Sequence, residues 1–137
     1  MKPIWVFIYG TLLPGECNHH VVSGRMEAGP PGQIAGRLVD CGEYPAAVRD
    51  PVSRERNCII RGLWIAVDRE TLAAMDELEE FGGIEESNDY ERVWVRDAAA
   101  ANRAGWVYVW AGDRGCPAIP GGYWPDYGKG KGNGSGA

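Results

Sequence analysis

No stretch of this sequence approaches the roughly 20 consecutive apolar residues that a membrane-spanning helix needs. Its first apolar run, in MKPIWVFIYGT, is broken by Gly10 and Thr11 before it reaches signal-peptide length, and no small-residue cleavage site follows. A cytoplasmic chain with no membrane partner is therefore expected. Lys and Arg form no cluster and the net charge is -5, so the electrostatic footprint of a nucleic-acid binder is missing and polyanions are not expected partners. The four cysteines, Cys17, Cys41, Cys58 and Cys116, stand far apart without a Cys-x-x-Cys pair, which argues against both a zinc site and a dense disulfide framework. They read as structural or incidental thiols. His19 and His20 are adjacent, so their rings diverge, which is poor geometry for two ligands of one metal. No Ser/His/Asp or Cys/His signature and no internal repeat is visible.

What is present is enough for one packed core. At 137 residues two independent cores would each be too small to offset the entropy of ordering the backbone. An apolar share of 45%, with six Trp and six Tyr, supports a single domain, assigned to residues 1–127. The Gly/Lys/Ser-rich stretch 128–137 is expected to be a disordered tail.

Strand candidates are β-branched and aromatic runs at Ile4 to Tyr9, Ile34 to Asp40, Tyr44 to Val48, Cys58 to Val67, Tyr90 to Asp97 and Gly105 to Trp110. Between Leu13 and Gly32 the chain is rich in Gly and Pro, with room for a turn or two of helix at Asn18 to Met26. One segment reads clearly as a helix, about Arg69 to Phe81: Asp68 is a good N-cap, Glu70 suits the first turn, and Gly82-Gly83 ends the run. The expected fold class is α+β, a mostly antiparallel β-barrel or strongly bent sheet of about six strands with one main helix. Arg37, Arg92 and Arg96, alternating with apolar neighbours, read as a solvated strand face. Tyr123-Trp124-Pro125 reads as core packing or the fastening of a lid rather than a cover over a site.

The helix singles out one carboxylate. Relative to the apolar stripe Leu72, Met75 and Leu78, Glu77 and Glu80 lie roughly 160° and 140° away and Asp76 about 100°, whereas Glu79 lies only about 40° away. A carboxylate held against apolar surface loses hydration and becomes able to take and return a proton near neutral pH. The wheel leaves open a second outcome, in which Glu79 sits at the stripe edge and reaches water or an Arg. In Tyr9-Gly10-Thr11-Leu12 the glycine either lets backbone N–H groups approach a carbonyl oxygen or anion closely, or fills a positive-φ turn position.

These segments occur in an order that resembles a known family. IYGTLLPGECNHH near the amino terminus, GEYPAAV at Gly42 to Val48, MDELEE at Met75 to Glu80 and YERVWV at Tyr90 to Val95 are similar to motifs of the gamma-glutamylcyclotransferase-like superfamily, which includes gamma-glutamylamine cyclotransferases and a butirosin-pathway cyclotransferase. The likeness runs from Tyr9 to about Trp124. It implies a β-barrel with a cavity at the Tyr-Gly-Thr-Leu loop, a catalytic role for Glu79, and substrate-binding roles for Tyr9, Gly10, Thr11, Leu12 and Tyr90. Glu80, where relatives often have Gly, and the acidic loop Gly82 to Asp89 depart from the pattern.

The implied reaction is the release of 5-oxoproline and an amine or amino acid from a small gamma-glutamyl substrate, with Glu79 as general acid and base and neither metal nor organic cofactor. The substrate carries its own nucleophile, its α-amine, which accounts for the missing nucleophile signature. The alternatives are a non-catalytic small-molecule-binding module of the same fold, and an amide hydrolase in which Glu79 activates water. The sequence leaves the leaving group and the oligomeric state open.

Overall fold

A computed structural model of the chain describes residues 3–79 and 90–130. The strands are β1 (Ile4–Ile8), β2 (Met26–Ala35), β3 (Arg37–Asp40), β4 (Pro45–Val48), β5 (Ile59–Val67), β6 (Glu91–Arg96), β7 (Ala104–Trp110) and β8 (Ala118–Ile119). The helices are α1 (Pro51–Glu55), α2 (Arg69–Leu78) and α3 (Trp124–Gly130), with 3-10 turns at His19–Val21 and Pro120–Gly122. Helix α3 therefore enters the first three residues of the expected tail, while 131–137 lie outside the described residues. Among the described residues no helix is long and apolar enough to cross a membrane.

The strands form one curled sheet in the order β2-β5-β1-β7-β4-β3-β8, with β6 also on β7. Five pairings are antiparallel, but β1 and β4 both run parallel to β7, so the sheet is mixed. Among the described residues the count rises from six to eight strands for two reasons. Gly36, at φ 152, breaks the expected Ile34 to Asp40 strand into β2 and β3, and the two-residue β8 is too short to signal itself. Strand β2 also reaches back to Met26 through Pro30 and Pro31. Prolines remove ladder donors, but β2 ends the sheet order and its register shifts between Ala28 and Pro31, which are positions where a sheet tolerates them.

Side-chain alternation along β1 fills two cores. Val6 and Ile8 join Tyr108, Trp110, Leu72 and Met75 on the face covered by α2, whereas Phe7 and Tyr9 join Val107, Val109, Trp64 and Trp124 on the other. With both faces covered, strand residues read as continuous apolar runs. Trp124 is 2% exposed and belongs to the second core, as read from the sequence.

Covering both faces corrects the reading of two arginines. Arg37 is not solvated: its guanidinium bonds both oxygens of Asp50 at 2.8–3.3 Å and meets Asp113 at 3.1 Å. Arg92 ion-pairs with Asp76 at 3.0 Å over the Trp106 ring. Arg96 is exposed, as expected.

Asp50 also caps α1, accepting the Ser53 amide at 2.9 Å. Hydrogen bonding to Arg37 is the main cause that holds its carboxyl down at about 2. A folded-state value below the unfolded one stabilises the protein fully above about pH 4, and that contribution is lost as pH falls through about 2. Urea titrations are expected to show Asp50→Asn less stable by about 1–2 kcal/mol near neutral pH, after allowance for solvent screening, with the gap closing toward pH 2. A pH-independent gap contradicts this.

Candidate active site

The sheet forks along β7, and the fork makes a cavity. Strand β1 contacts β7 at Val6 and Trp106, and β4 contacts it farther along, pairing Ala47 with Val109 and Val48 with Trp110. Between these contacts the phenol of Tyr9 fills the gap in the ladder, donating to the Tyr108 carbonyl at 2.7 Å and accepting the Ala47 amide at 3.2 Å. The cavity of about 290 Å³ at this fork is lined by Tyr9, Gly10, Thr11, Leu12, Asn18, Tyr44, Pro45, Leu78, Glu79, Tyr90 and Tyr108, with Phe7 and Ile8 beneath.

Its first wall is the loop after β1. Leu13 donates to the Gly10 carbonyl at 3.0 Å, and Asn18 fastens Thr11 twice, its amide to the Thr11 carbonyl at 2.8 Å and its side chain to the Thr11 hydroxyl at 3.0 Å. Among the described residues, no protein acceptor lies within hydrogen-bond reach of the Thr11 and Leu12 amides. Gly10 is not at positive φ, which rules out the turn explanation for it. A Cβ there would sit 2.7 Å from Cγ of Pro45, so glycine allows the loop and β4 to approach each other.

The second wall is the end of α2. The helix stops at Leu78 rather than Phe81, which lies outside the described residues, and Glu79 is its C-cap. The Glu79 amide donates to the Met75 carbonyl at 3.0 Å and its own carbonyl accepts the Tyr90 amide at 3.3 Å. These two backbone bonds fix the half-buried Glu79 at the cavity independently of its carboxylate. Leu78, the last member of the apolar stripe, is 36% exposed because it lies at this opening rather than in the core.

Three tyrosines share the carboxylate's surroundings. Burial pushes the Tyr9 phenol well above its usual value, with the Glu79 charge acting in the same direction. Tyr90 and Tyr108 are raised for the same first reason, and Glu79 contributes to each. All three remain neutral hydroxyls across the physiological range. Tyr90 donates to the Pro45 carbonyl at 3.0 Å, and Tyr108 to Asp76 at 2.6 Å, where Arg92 completes the network. Tyr9→Phe removes both phenol bonds at the fork, to the Tyr108 carbonyl and from the Ala47 amide. A loss of about 2 kcal/mol by urea unfolding is expected, and a change below about 0.5 kcal/mol contradicts the bridging role.

All six residues expected at a site, Tyr9, Gly10, Thr11, Leu12, Glu79 and Tyr90, line this one cavity. Sequence reading missed Tyr44, Pro45, Tyr108 and Asn18. Tyr44 and Pro45 lie in GEYPAAV and Asn18 in ECNHH, so the motifs carried a signal for them, whereas Tyr108 is an ordinary strand aromatic until the fork is known. His19 and the exposed His20 both meet backbone, with Nδ1 atoms 2.8 Å from the Leu12 carbonyl and 3.2 Å from the Cys17 carbonyl. Among the described residues no cluster of three His, Cys, Asp or Glu side chains could hold a metal ion.

A curled, forked sheet with a carboxylate facing a glycine-containing loop defines a class that comparison with known proteins identifies. Residues 6–126 match the family described as gamma-glutamyl cyclotransferase, AIG2-like, and the chain belongs to that family. It is 35% identical over 111 residues to gamma-L-glutamyl-butirosin B gamma-glutamyl cyclotransferase of Niallia circulans, covering 79% of this chain and 67% of that protein. Among solved structures it is similar to the uncharacterized protein PH0828 from Pyrococcus horikoshii, with a TM-score of 0.70, 20% identity and coverage of 93% and 95% of the two chains. An AIG2-like protein from Mus musculus superposes with a TM-score of 0.65, 20% identity and coverage of 93% and 83%. At these identities the structural likeness speaks to the fold alone.

Proposed function

We propose that the protein cyclises a gamma-glutamyl group, releasing 5-oxoproline and the amine or amino acid attached to the γ-carbonyl. The observation that carries this proposal is that Glu79 and the Tyr9-Gly10-Thr11-Leu12 loop line the same cavity, so that a proton carrier and uncommitted backbone donors share one small space.

The γ-carbonyl and the α-amine belong to one molecule, and closing them into a five-membered ring needs orientation and proton transfer rather than a protein nucleophile. Glu79 accepts a proton from the α-ammonium, freeing the nitrogen to attack the γ-carbon. The Thr11 and Leu12 amides meet the oxygen on which negative charge develops. The C–N bond to the leaving group then breaks as Glu79 returns its proton to the departing nitrogen. Tyr9 and Tyr90, held neutral by burial, wall the substrate without adding a competing charge.

The test is product identity. Incubation with a panel of gamma-glutamyl amines, gamma-glutamyl amino acids and gamma-L-glutamyl-butirosin B, the last taken from the name of the Niallia circulans relative, is expected to yield 5-oxoproline from at least one member. Free glutamate as the product makes the protein an amide hydrolase instead. Saturable binding without turnover of any member makes it a binding module.

A further inference from the structure

Two of the four thiols, far apart in sequence, meet at the end of a ladder. The antiparallel β3–β8 pairing sets Leu38 opposite Ile119 and Val39 opposite Ala118. It continues one step beyond β8, where the Asp40 amide donates to the Pro117 carbonyl at 2.8 Å. The next step sets Cys41 opposite Cys116. Neither cysteine amide bonds across: Cys41 donates to the Tyr44 carbonyl at 3.0 Å and Cys116 to the Asp113 carbonyl at 2.8 Å. Asp40 and Pro117 thus form the hydrogen-bonded pair, and the two cysteines occupy the following non-hydrogen-bonded position, where facing Cα atoms stand about 4.5 Å apart and side chains are closest. That spacing lies within the range a disulfide spans. Both thiols are half-buried against the same core, where the Cys41 thiol donates to the Val39 carbonyl at 3.8 Å and the Cys116 sulfur is a close enough neighbour to raise it.

We propose that Cys41 and Cys116 form an oxidative modification site, which a low-molecular-weight disulfide converts into a single cross-strand disulfide. Burial, together with the neighbouring Cys116 sulfur, pushes the Cys41 thiol up to about 12, so attack begins at Cys116. The Cys116 sulfur attacks one sulfur of the reagent, whose S–S bond breaks and expels one thiol. The Cys41 sulfur then attacks the Cys116 sulfur of the mixed disulfide and expels the second thiol. The chain gives up two electrons and two protons, and the reagent is reduced to two thiols. The new bond ties the turn before β4 to the segment before β8. Tyr44 closes that turn and lies against Tyr90 and Trp110, with ring centroids 6.5 and 6.4 Å away, so the cross-link also stiffens one wall of the cavity.

The test uses the full chain, folded, with oxidised glutathione as the reagent, followed by acid quench, alkylation and tryptic mapping. The expected product is residues 38–49 linked to residues 115–129, with accessible thiols in the unfolded product falling from four to two. The oxidised protein should melt about 5 °C or more above the reduced one, and dithiothreitol should reverse the shift. A Cys17→Ser, Cys58→Ser double variant should give the same linked peptide, and Cys41→Ser should give only a glutathione adduct. Absence of the linked peptide from the unsubstituted chain, or a link to Cys17 or Cys58 in its place, overturns the proposal.

Discussion

Glu79→Gln is expected to lower 5-oxoproline formation by about a thousandfold, nearly all of it in kcat. Glutamine has the volume of glutamate and keeps a carbonyl oxygen, so the cavity retains its shape and its hold on a substrate amine. In the proposed mechanism what is lost is the ability to accept a proton from the α-ammonium and return it to the leaving nitrogen. Position should survive, because the Glu79 backbone is held by its bonds to Met75 and Tyr90 and neither involves the carboxylate. The melting temperature should therefore move by no more than about 2 °C. The split between kcat and KM distinguishes a proton carrier from a group that merely binds the amine, whose loss would raise KM instead. A variant that keeps a tenth or more of the original kcat contradicts the assignment.

Asp97→Ala is expected to cost about 4 kcal/mol of stability while leaving kcat per folded molecule unchanged. Asp97 is 5% exposed at the end of β6, and its carboxylate accepts four hydrogen bonds. These come from the Gln33 amide at 3.0 Å, the Trp64 indole at 2.8 Å, and the Ala99 and Ala100 amides at 2.8 Å each. Burial by itself would raise this carboxyl, but the four donors more than offset it and hold it below the usual range. Alanine removes every acceptor at once and strands the indole N–H of a tryptophan that is 0% exposed. A fall in melting temperature of more than about 10 °C follows. The stabilisation belongs to the ionised carboxylate, so the difference from the unsubstituted chain is present in full above about pH 4 and shrinks as pH falls. Denaturant titration at several pH values checks both points, and a loss under about 1 kcal/mol contradicts them. Because Asp97 does not line the cavity, the pair of substitutions separates folding from chemistry.

The same contrast shows what a sequence of this kind discloses. The apolar runs of β1, β5 and β7 were legible because burial on both faces demands Val, Ile, Trp and Tyr without interruption. Strand β2 was legible only at its end, Ile34 and Ala35, since Gly29, Pro30 and Pro31 look like a loop unless the strand is known to lie at a sheet edge. The covered second face also explains the misreading of Arg37 and Arg92: alternation suggested a solvated side, but those arginines lie under other elements and are held by Asp50, Asp113 and Asp76. Parallel pairing of β7 with β1 and β4 joins segments distant in the chain and leaves no local pattern.

At the candidate site the loop and the carboxylate were found by different signals. Tyr9 to Leu12 followed a buried strand, and Glu79 stood out on a helical wheel, although the helix ends one residue before it and the cap sets its direction. Of the two readings of Gly10, the positive-φ turn does not apply, and the close approach of Pro45 across the fork supplies a reason for glycine that the sequence did not disclose. Tyr108 and Tyr44 became visible only with the fork itself.

The most direct measurement is mass spectrometry of the product formed in heavy-oxygen water from a gamma-glutamyl amide that the protein turns over. Ring closure by the substrate's own amine admits no water, so the expected product is 5-oxoproline of ordinary mass in amounts equal to the released amine. Glutamate carrying one heavy oxygen atom, in the same stoichiometry, would mean that water is the nucleophile and would contradict intramolecular cyclisation.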